Sequence, residues 1–252
     1  MPRRNNKHIP PHIRPAVLVT GGSRGIGQAI SVAFGEAGWQ VGIHCRTRLA
    51  EAEQTAGAVK DAGGEAFTLQ ADLRERSQVE TMLDRYLSRC GRLDALICSA
   101  GESVSALMLR LRPEQWQSAI ETNLTGTFHC LRAAGPLMLK QGEGSIVIIS
   151  SFAAHQGRSG QAAYAASKAG LLGLMKTAAR EWGPGNVRVN AVFPGWHRTD
   201  LSHGMMPDGD DLAGHVLLRT GNLKEVARVI VHLVSLKDVS GQVWNLDSRL
   251  TS

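Results

Sequence analysis

The stretch Ala16-Val17-Leu18-Val19-Thr20-Gly21-Gly22-Ser23-Arg24-Gly25-Ile26-Gly27-Gln28 decides how the rest of the chain is read. Its first five residues form an apolar, largely β-branched run, the pattern of a strand buried on both faces. Glycines at 21, 25 and 27 come next, and a helical pattern over 28–37 follows. Strand, glycine-rich turn and helix in that order are the setting of a dinucleotide-binding loop. Glycine is required there because the turn takes positive φ and because backbone must come close to a pyrophosphate. The free N–H groups and the positive dipole end of the helix then point at those phosphates.

Working outward, further strands are expected over 40–44, 65–71, 94–99, 146–149, 187–193 and 242–246. Helices are expected between them over 49–62, 77–90, from 113 past 123 towards 134, 161–182 and 223–236. Such alternation implies a parallel sheet with helices on both faces. The expected fold class is therefore α/β: one Rossmann-type domain over residues 15–252 with a seven-stranded parallel sheet. A chain of 252 residues suits one such domain and one core. Residues 1–14, MPRRNNKHIPPHIR, carry Pro, Asn and basic residues with little apolar content, and read as a disordered basic tail. A nucleic-acid or membrane-surface arm and a short targeting peptide are the competing readings of that tail.

Composition narrows the function. No apolar run approaches the ~18 residues of a membrane helix, so no membrane partner is expected. Cys45, Cys90, Cys98 and Cys130 lack paired spacing, which suits the reduced cytoplasm better than secretion. The formal charge of +6 and the pI near 9.5 give modest attraction to phosphates, acidic carrier proteins or nucleic acid. Because the charges are spread along the chain, a solvated surface is favoured and no nucleic-acid partner is expected. His8 and His12 are separated by Pro10-Pro11, which prevents the helix that would align them, so no metal is expected.

A second stretch, from Gly144 to Gly170, carries the candidate chemistry. A strand over 146–149 ends in Ser150 and Ser151, and a small-residue helix carries Tyr164 and Lys168. Four residues on a helix advance about 6 Å and return to nearly the same face. An ammonium beside a phenol lowers its pKa from about 10. Tyr164 then becomes a proton donor to a carbonyl oxygen and Ser151 a hydrogen-bond partner of that oxygen. On its own the Tyr and Lys are a helical pair; the chemistry needs a cofactor. The second strand ends in His44-Cys45-Arg46-Thr47-Arg48, with no carboxylate before Glu51. An NAD site usually has an acidic residue there for the ribose 2′-hydroxyl, and an NADP site an Arg. Arg24 and Arg46 clamping a 2′-phosphate favour NADPH/NADP+; the alternative is two exposed surface arginines.

Together these residues resemble the short-chain dehydrogenase/reductase family over about residues 15–247. Thr20 to Gly27 is similar to its T-G-x-x-x-G-x-G segment, which places Gly21, Ser23, Arg24, Gly25, Ile26 and Gly27 at the cofactor. Asp72 of Ala71-Asp72-Leu73 resembles the aspartate that meets the adenine, with Leu73 beside it. Ala100 and Gly101 end Cys98-Ser99-Ala100-Gly101, where the family commonly has N-N-A-G. Asn123 in Thr122-Asn123-Leu124-Thr125-Gly126 resembles the active-site asparagine and completes a tetrad with Ser151, Tyr164 and Lys168. Pro194, Gly195 and Thr199 resemble the P-G-x-x-x-T segment that faces the nicotinamide.

The resemblance implies hydride transfer between the nicotinamide and a carbonyl carbon, with Tyr164 exchanging the proton and Ser151 positioning the oxygen. Lys168 would hold the nicotinamide ribose and lower the tyrosine pKa, and Asn123 would anchor a water in a proton relay. Within the family, TGGSRGIG, YAASKAGL and VRVNAVFPG look most like 3-oxoacyl-[acyl-carrier-protein] reductases. That implies fatty acid biosynthesis, an acyl-carrier-bound substrate, and a homotetramer, favoured over a dimer, pairing the helices through Leu124 and Lys168 with their copies. The chain departs from that pattern at Cys98 and at Asn245-Leu246-Asp247-Ser248-Arg249, which lacks the usual D-G-G. It also has Gly142 and Gly185 where basic carrier-binding residues often stand, with Lys140 nearby. The polar loop 196–220, with Met205, Met206 and Asp208-Gly209-Asp210-Asp211, does not name a substrate. A dehydrogenase of a sugar, polyol or other small secondary alcohol, and a non-catalytic NADP-binding subunit, are the alternatives; an intact tetrad argues against the second.

Overall fold

In a computed structural model, which describes residues 14–197, 199, 212 and 214–250, the run Ala16–Thr20 forms β1 at the centre of the sheet and is buried throughout. The other strands are β2 (Gln40–Cys45), β3 (Glu65–Gln70), β4 (Ala95–Cys98), β5 (Gly144–Ile149), β6 (Val187–Phe193) and β7 (Val243–Asn245). They pair in the order β3-β2-β1-β4-β5-β6-β7, every pair parallel. The protein is thus a single α/β domain built on a seven-stranded parallel sheet, as the alternating pattern predicts.

Helices cover both faces. On one lie α1 (Gly25–Glu36), α2 (Leu49–Asp61) and α8 (Leu223–Ser235), packed through Ile30, Phe34, Val59 and Ile230 on Val17, Val19, Ile97 and Val147. On the other lie α3 (Arg76–Cys90), α5 (Gly126–Gln141) and α7 (Ala162–Trp182), packed through Tyr86, Met138 and Leu171 on Leu18, Leu96 and Ile146. Alternate residues of one strand enter opposite cores, which is why the central strands read as continuous apolar runs. Two further helices among the described residues, α4 (Pro113–Ile120) and α6 (Ala153–Gln156), pack against α7.

The structure differs from the sequence reading in three places. The helix expected without interruption from 113 is broken: α4 passes into a π-helical turn over Glu121–Thr125 before α5 resumes. The π turn contains Asn123, and such turns concentrate at functional sites. The four-residue helix α6 lies between the strand expected over 146–149 and the helix expected over 161–182, where the sequence pattern marks no element. Arg14, assigned to the basic tail, donates to the carbonyls of Gly38 and Gly63 at 3.2 and 2.9 Å, so the folded part begins one residue earlier. Residues 1–13 of the expected tail, and Met205, Met206 and Asp208-Gly209-Asp210-Asp211 of the polar loop, lie outside the described residues. Among the described residues no helix is long and apolar enough to cross a membrane.

One contact shows how closely α3 sits on the sheet. A Cβ at Gly42, in the middle of β2, would lie 2.6 Å from Cδ2 of the fully buried Tyr86. Gly42→Val should therefore displace the ring and α3 with it, at a cost of about 1–3 kcal/mol. Urea unfolding of the variant beside wild type measures it, and an unchanged midpoint would disprove the close packing.

Candidate active site

Strand order reverses between β1 and β4, and a crevice opens at such a reversal outside the C-terminal ends of the strands. Here it is a cavity of about 610 Å³. Gly21, Ser23, Arg24, Gly25, Ile26, Gly27, Arg46, Asp72, Leu73, Ala100, Gly101, Ser151, Tyr164, Lys168, Pro194, Gly195 and Thr199 all line it. Asn123, the remaining member of the expected tetrad, does not; it is fully buried beneath the wall.

The glycine turn is held by close backbone contact. Gly21 has φ +66°, and a Cβ on Gly27 would lie 2.2 Å from the Gly21 carbonyl oxygen. The first turn of α1 can therefore approach the strand end only if residue 27 has no side chain. Thr199 reaches back to this turn, its methyl 3.3 Å from where a Cβ of Gly25 would stand.

His44, not singled out from sequence, fixes the same turn. Its Nδ1 accepts the Gly21 N–H at 3.1 Å and its Nε2 meets the Ala71 carbonyl at 3.0 Å. That pattern demands a neutral ring with the proton on Nε2. Burial pushes its pKa down to about 4, against smaller opposing effects of the Ala71 carbonyl and Asp72. The signal available in the sequence was a histidine inside a β-branched strand just before the expected ribose position.

At the end of the cavity beyond β3, Asp72 is clamped by Arg74, whose Nε donates to both carboxylate oxygens at 3.0 Å. Hydrogen bonding from Arg74 holds the Asp72 carboxyl below its ordinary range. Arg46 lies exposed at the end of β2, and the cavity has no carboxylate at that strand end.

At the other end, β5 delivers Ser150 and Ser151, and α7 delivers Tyr164 and Lys168 to the same wall. The Lys168 Nζ donates to the Ile149 carbonyl at 2.8 Å and stands 5.7 Å from the centre of the Tyr164 ring. The Ser150 hydroxyl ties back to the Lys168 carbonyl at 2.9 Å, locking β5 to α7. Burial lowers the Lys168 pKa to about 8, opposed in part by the Cys98 thiol. Burial likewise raises the Tyr164 phenol, and its hydrogen bond with Ser151 draws it only partly back. This corrects the expectation from sequence that Lys168 lowers the phenol: desolvation dominates because the pair sits in the wall of the sheet.

Asn123 is satisfied on every side. Its Oδ1 accepts the Glu102 N–H at 2.8 Å, and its Nδ2 donates to the Glu102 carbonyl at 3.0 Å and the Ser167 hydroxyl at 2.9 Å. A Cβ on Gly101 would be 3.2 Å from Asn123 Oδ1 and 3.4 Å from Lys168 Nζ, so the three converge. Among the described residues no group of His, Cys, Asp and Glu is arranged to hold a metal.

A doubly wound sheet with a glycine turn and a Ser/Tyr/Lys wall defines a nucleotide-dependent oxidoreductase. The family model described as short chain dehydrogenase matches residues 15–209, and the chain belongs to that family. It is 36% identical to a Staphylococcus epidermidis protein named 3-oxoacyl-[acyl-carrier-protein] reductase, over 93% of this chain and 98% of that one. Two solved structures match its fold. One, assigned as a short-chain alcohol dehydrogenase of Sinorhizobium meliloti, has TM-score 0.88 and 32% identity, with 93% of this chain and 95% of that chain covered. The other, assigned as a gluconate dehydrogenase of Agrobacterium tumefaciens, has TM-score 0.87 and 29% identity, with coverage of 93% and 94%.

The neutral state of His44 carries a pH signature. Its folded pKa of about 4 lies below the ordinary 6.5, so the unfolded chain takes up the proton first as pH falls. Stability from this group is complete above pH 6.5 and is lost as pH falls from 6.5 towards 4, by about 3 kcal/mol in all. Unfolding midpoints at pH 7, 6 and 5 should fall for wild type more steeply than for His44→Asn; parallel curves would refute this role.

Proposed function

We propose that this chain reduces a carbonyl to a secondary alcohol with NADPH as the hydride donor. The observation that carries the reading is the placing of Ser151, Tyr164 and Lys168 on one wall of a cavity to which the end of β2 brings Arg46 and no carboxylate. When bound, NADPH supplies the hydride. The Ser151 hydroxyl orients the carbonyl oxygen, and Tyr164 donates the proton to it as negative charge develops. A phenol raised by burial keeps its proton at neutral pH, which suits donation to an alkoxide. Lys168, with a pKa of about 8, remains largely an ammonium at pH 7 and faces the ribose side of the wall. Asn123 supports a proton relay towards Lys168 from behind; with its amide engaged by Glu102 and Ser167, it positions the wall and does not touch substrate.

For the cofactor, we place the pyrophosphate on the turn from Gly21 to Gly27 with Ser23 and Ile26, and the adenine by Asp72 and Leu73. Ala100, Gly101, Pro194, Gly195 and Thr199 are assigned to the nicotinamide half, and Arg24 and Arg46 to the 2′-phosphate, which suits a guanidinium fork. The names of the relatives support a 3-oxoacyl thioester as substrate, with an acyl carrier protein as partner and fatty acid biosynthesis as the setting. A homotetramer is supported by the exposed Phe128 on α5 and by Ala169 and Gly173 on the outer side of α7. A cytoplasmic setting is supported by free thiols at Cys45, Cys90, Cys98 and Cys130. A second reading, a small polar hydroxy compound as substrate, is favoured by the guanidinium groups of Arg158 and Arg249 in the same cavity.

Oxidation of NADPH with an acetoacetyl thioester tests the reading. Tyr164→Phe should lower kcat by about 10²–10⁴, and Arg46→Asp should shift preference from NADPH towards NADH by at least about tenfold. Activity retained in Tyr164→Phe, or a wild type that prefers NADH, would sink the corresponding assignment. Light scattering of the eluted protein should give four times the 27.1 kDa chain mass, and a monomer would refute the assembly.

A further inference from the structure

We infer that Arg249 reads a carboxylate on the compound being reduced, so that the natural substrate is a compact oxo acid. The inference rests on the reading of the chain as an NADPH-dependent carbonyl reductase, and it replaces the thioester at the substrate's far end with a free carboxylate.

The segment after β7 returns over the cavity instead of leaving the domain. Leu246 N–H donates to the Phe193 carbonyl at 2.9 Å, continuing the ladder with the end of β6. Asp247 then packs on the Pro194-Gly195 turn: a Cβ on Gly195, whose φ is +87°, would lie 2.5 Å from the Asp247 Cβ. Residues 215 and 249 form an antiparallel bridge, with Val216 N–H donating to the Ser248 carbonyl at 3.0 Å. The carboxamide of Asn245 donates to the Arg249 carbonyl at 2.7 Å. Residues 245–249, where the usual D-G-G is missing, thus build a short loop whose outcome is the placing of one arginine.

That arginine faces the chemistry. Its guanidinium carbon lies 4.2 Å over the ring of Phe152, the residue that follows Ser151, and Arg249 lines the same cavity as Ser151 and Tyr164. The carboxylate of Asp247 holds it: Oδ1 accepts the Arg249 backbone N–H at 2.7 Å, and Oδ2 accepts Nε at 2.8 Å as well as Nη2. These bonds occupy one edge of the guanidinium fork, and the Nη1 edge carries no partner among the described residues. The Asp247 side chain is 1% exposed and the Arg249 side chain 20% exposed, so the carboxylate is a buried support and the guanidinium can be reached. A second guanidinium, that of Arg158, lies 4.9 Å over the Trp196 ring in the same cavity.

The Arg249 guanidinium, stacked on the ring beside Ser151 and held along one edge by Asp247, presents its other edge to the cavity. A planar fork fits a carboxylate in two hydrogen bonds, and a wall of this kind suits a charged group better than an acyl chain. Because the stack begins on the neighbour of Ser151, the carboxylate it reads lies a few bonds from the reacting carbon. A phosphate at the end of a long carrier arm would lie farther out. The step balances simply: the carbonyl carbon gains a hydride from NADPH, its oxygen takes the Tyr164 proton, and the carboxylate is unchanged.

The test compares kcat/KM with NADPH for acetoacetate, methyl acetoacetate and the N-acetylcysteamine thioester of acetoacetate. Wild type should prefer the acid, and the ratio of acid to ester should fall at least tenfold in Arg249→Gln and recover in part in Arg249→Lys. The double variant Asp247→Asn/Arg249→Gln, which leaves no unpaired buried carboxylate, should show the same lost ratio if the single variant folds poorly. A wild-type preference for the ester or thioester, or a ratio indifferent to Arg249, overturns the inference and leaves the reductase reading standing. If none of the three is reduced, that reading fails for this substrate class. Calorimetry of 3-hydroxybutyrate with the NADP+ complex then decides the inference: binding lost in Arg249→Gln supports it, and binding that is absent or unaffected overturns it.

Discussion

Where parallel strands end, their last carbonyl and N–H groups lose the ladder that satisfied them, and each must find another partner or be left buried without one. This protein meets that demand with polar side chains placed at the strand ends. The Thr20 hydroxyl accepts the N–H groups of Ser99 and Ala100 at 3.0 and 3.2 Å, at the reversal between β1 and β4. His44 joins the glycine turn to the residue after β3, and Lys168 takes the carbonyl that ends β5. His197 meets the carbonyl of Pro194 just beyond β6 at 2.7 Å. His44, Lys168 and His197 also line the cavity, so some of the residues that finish the sheet belong to the site.

That double use sets the electrostatics. A group that caps a buried carbonyl is itself buried, and burial penalises its charged form. His44 is pushed down to about 4 and stays neutral, which its two hydrogen bonds require. Lys168 is pushed down only to about 8, so it keeps its charge at neutral pH while holding Ile149. Tyr164 moves the other way and retains its proton. One physical cause leaves a neutral imidazole, an ammonium and a protonated phenol around one cavity.

The fold was legible because its evidence is local. A strand buried on both faces, a turn in which Gly21 takes positive φ, and alternating helices can be read within a few residues of one another. The same holds for Tyr164 and Lys168, which one helix fixes, and for Arg46, which one strand end places. Three features were not legible. The π turn at Asn123 depends on the side-chain bonds to Glu102 and Ser167, from segments far away in the chain. His44 looked like a strand residue because its partners, Gly21 and Ala71, lie 23 and 27 residues away. The direction of the Tyr164 shift could not follow from spacing, since spacing measures proximity to Lys168 and says nothing of desolvation.

The two halves of the cavity differ for the same reason. The half around Gly21 to Gly27 is made largely of backbone: glycine turns, helix N–H groups and strand ends, whose geometry a short motif encodes. The half beside Ser151 is made of side chains from segments remote in sequence, Phe152 after β5, Trp196 after β6, His215 before α8 and Arg249 after β7. No motif spans them, and their meeting depends on the fold being complete. A departure from a family pattern, such as Asn245 to Arg249, therefore reads in sequence as a loss and in structure as a replacement. Asp247 orients Arg249, and the segment after β7 supplies part of the cavity wall.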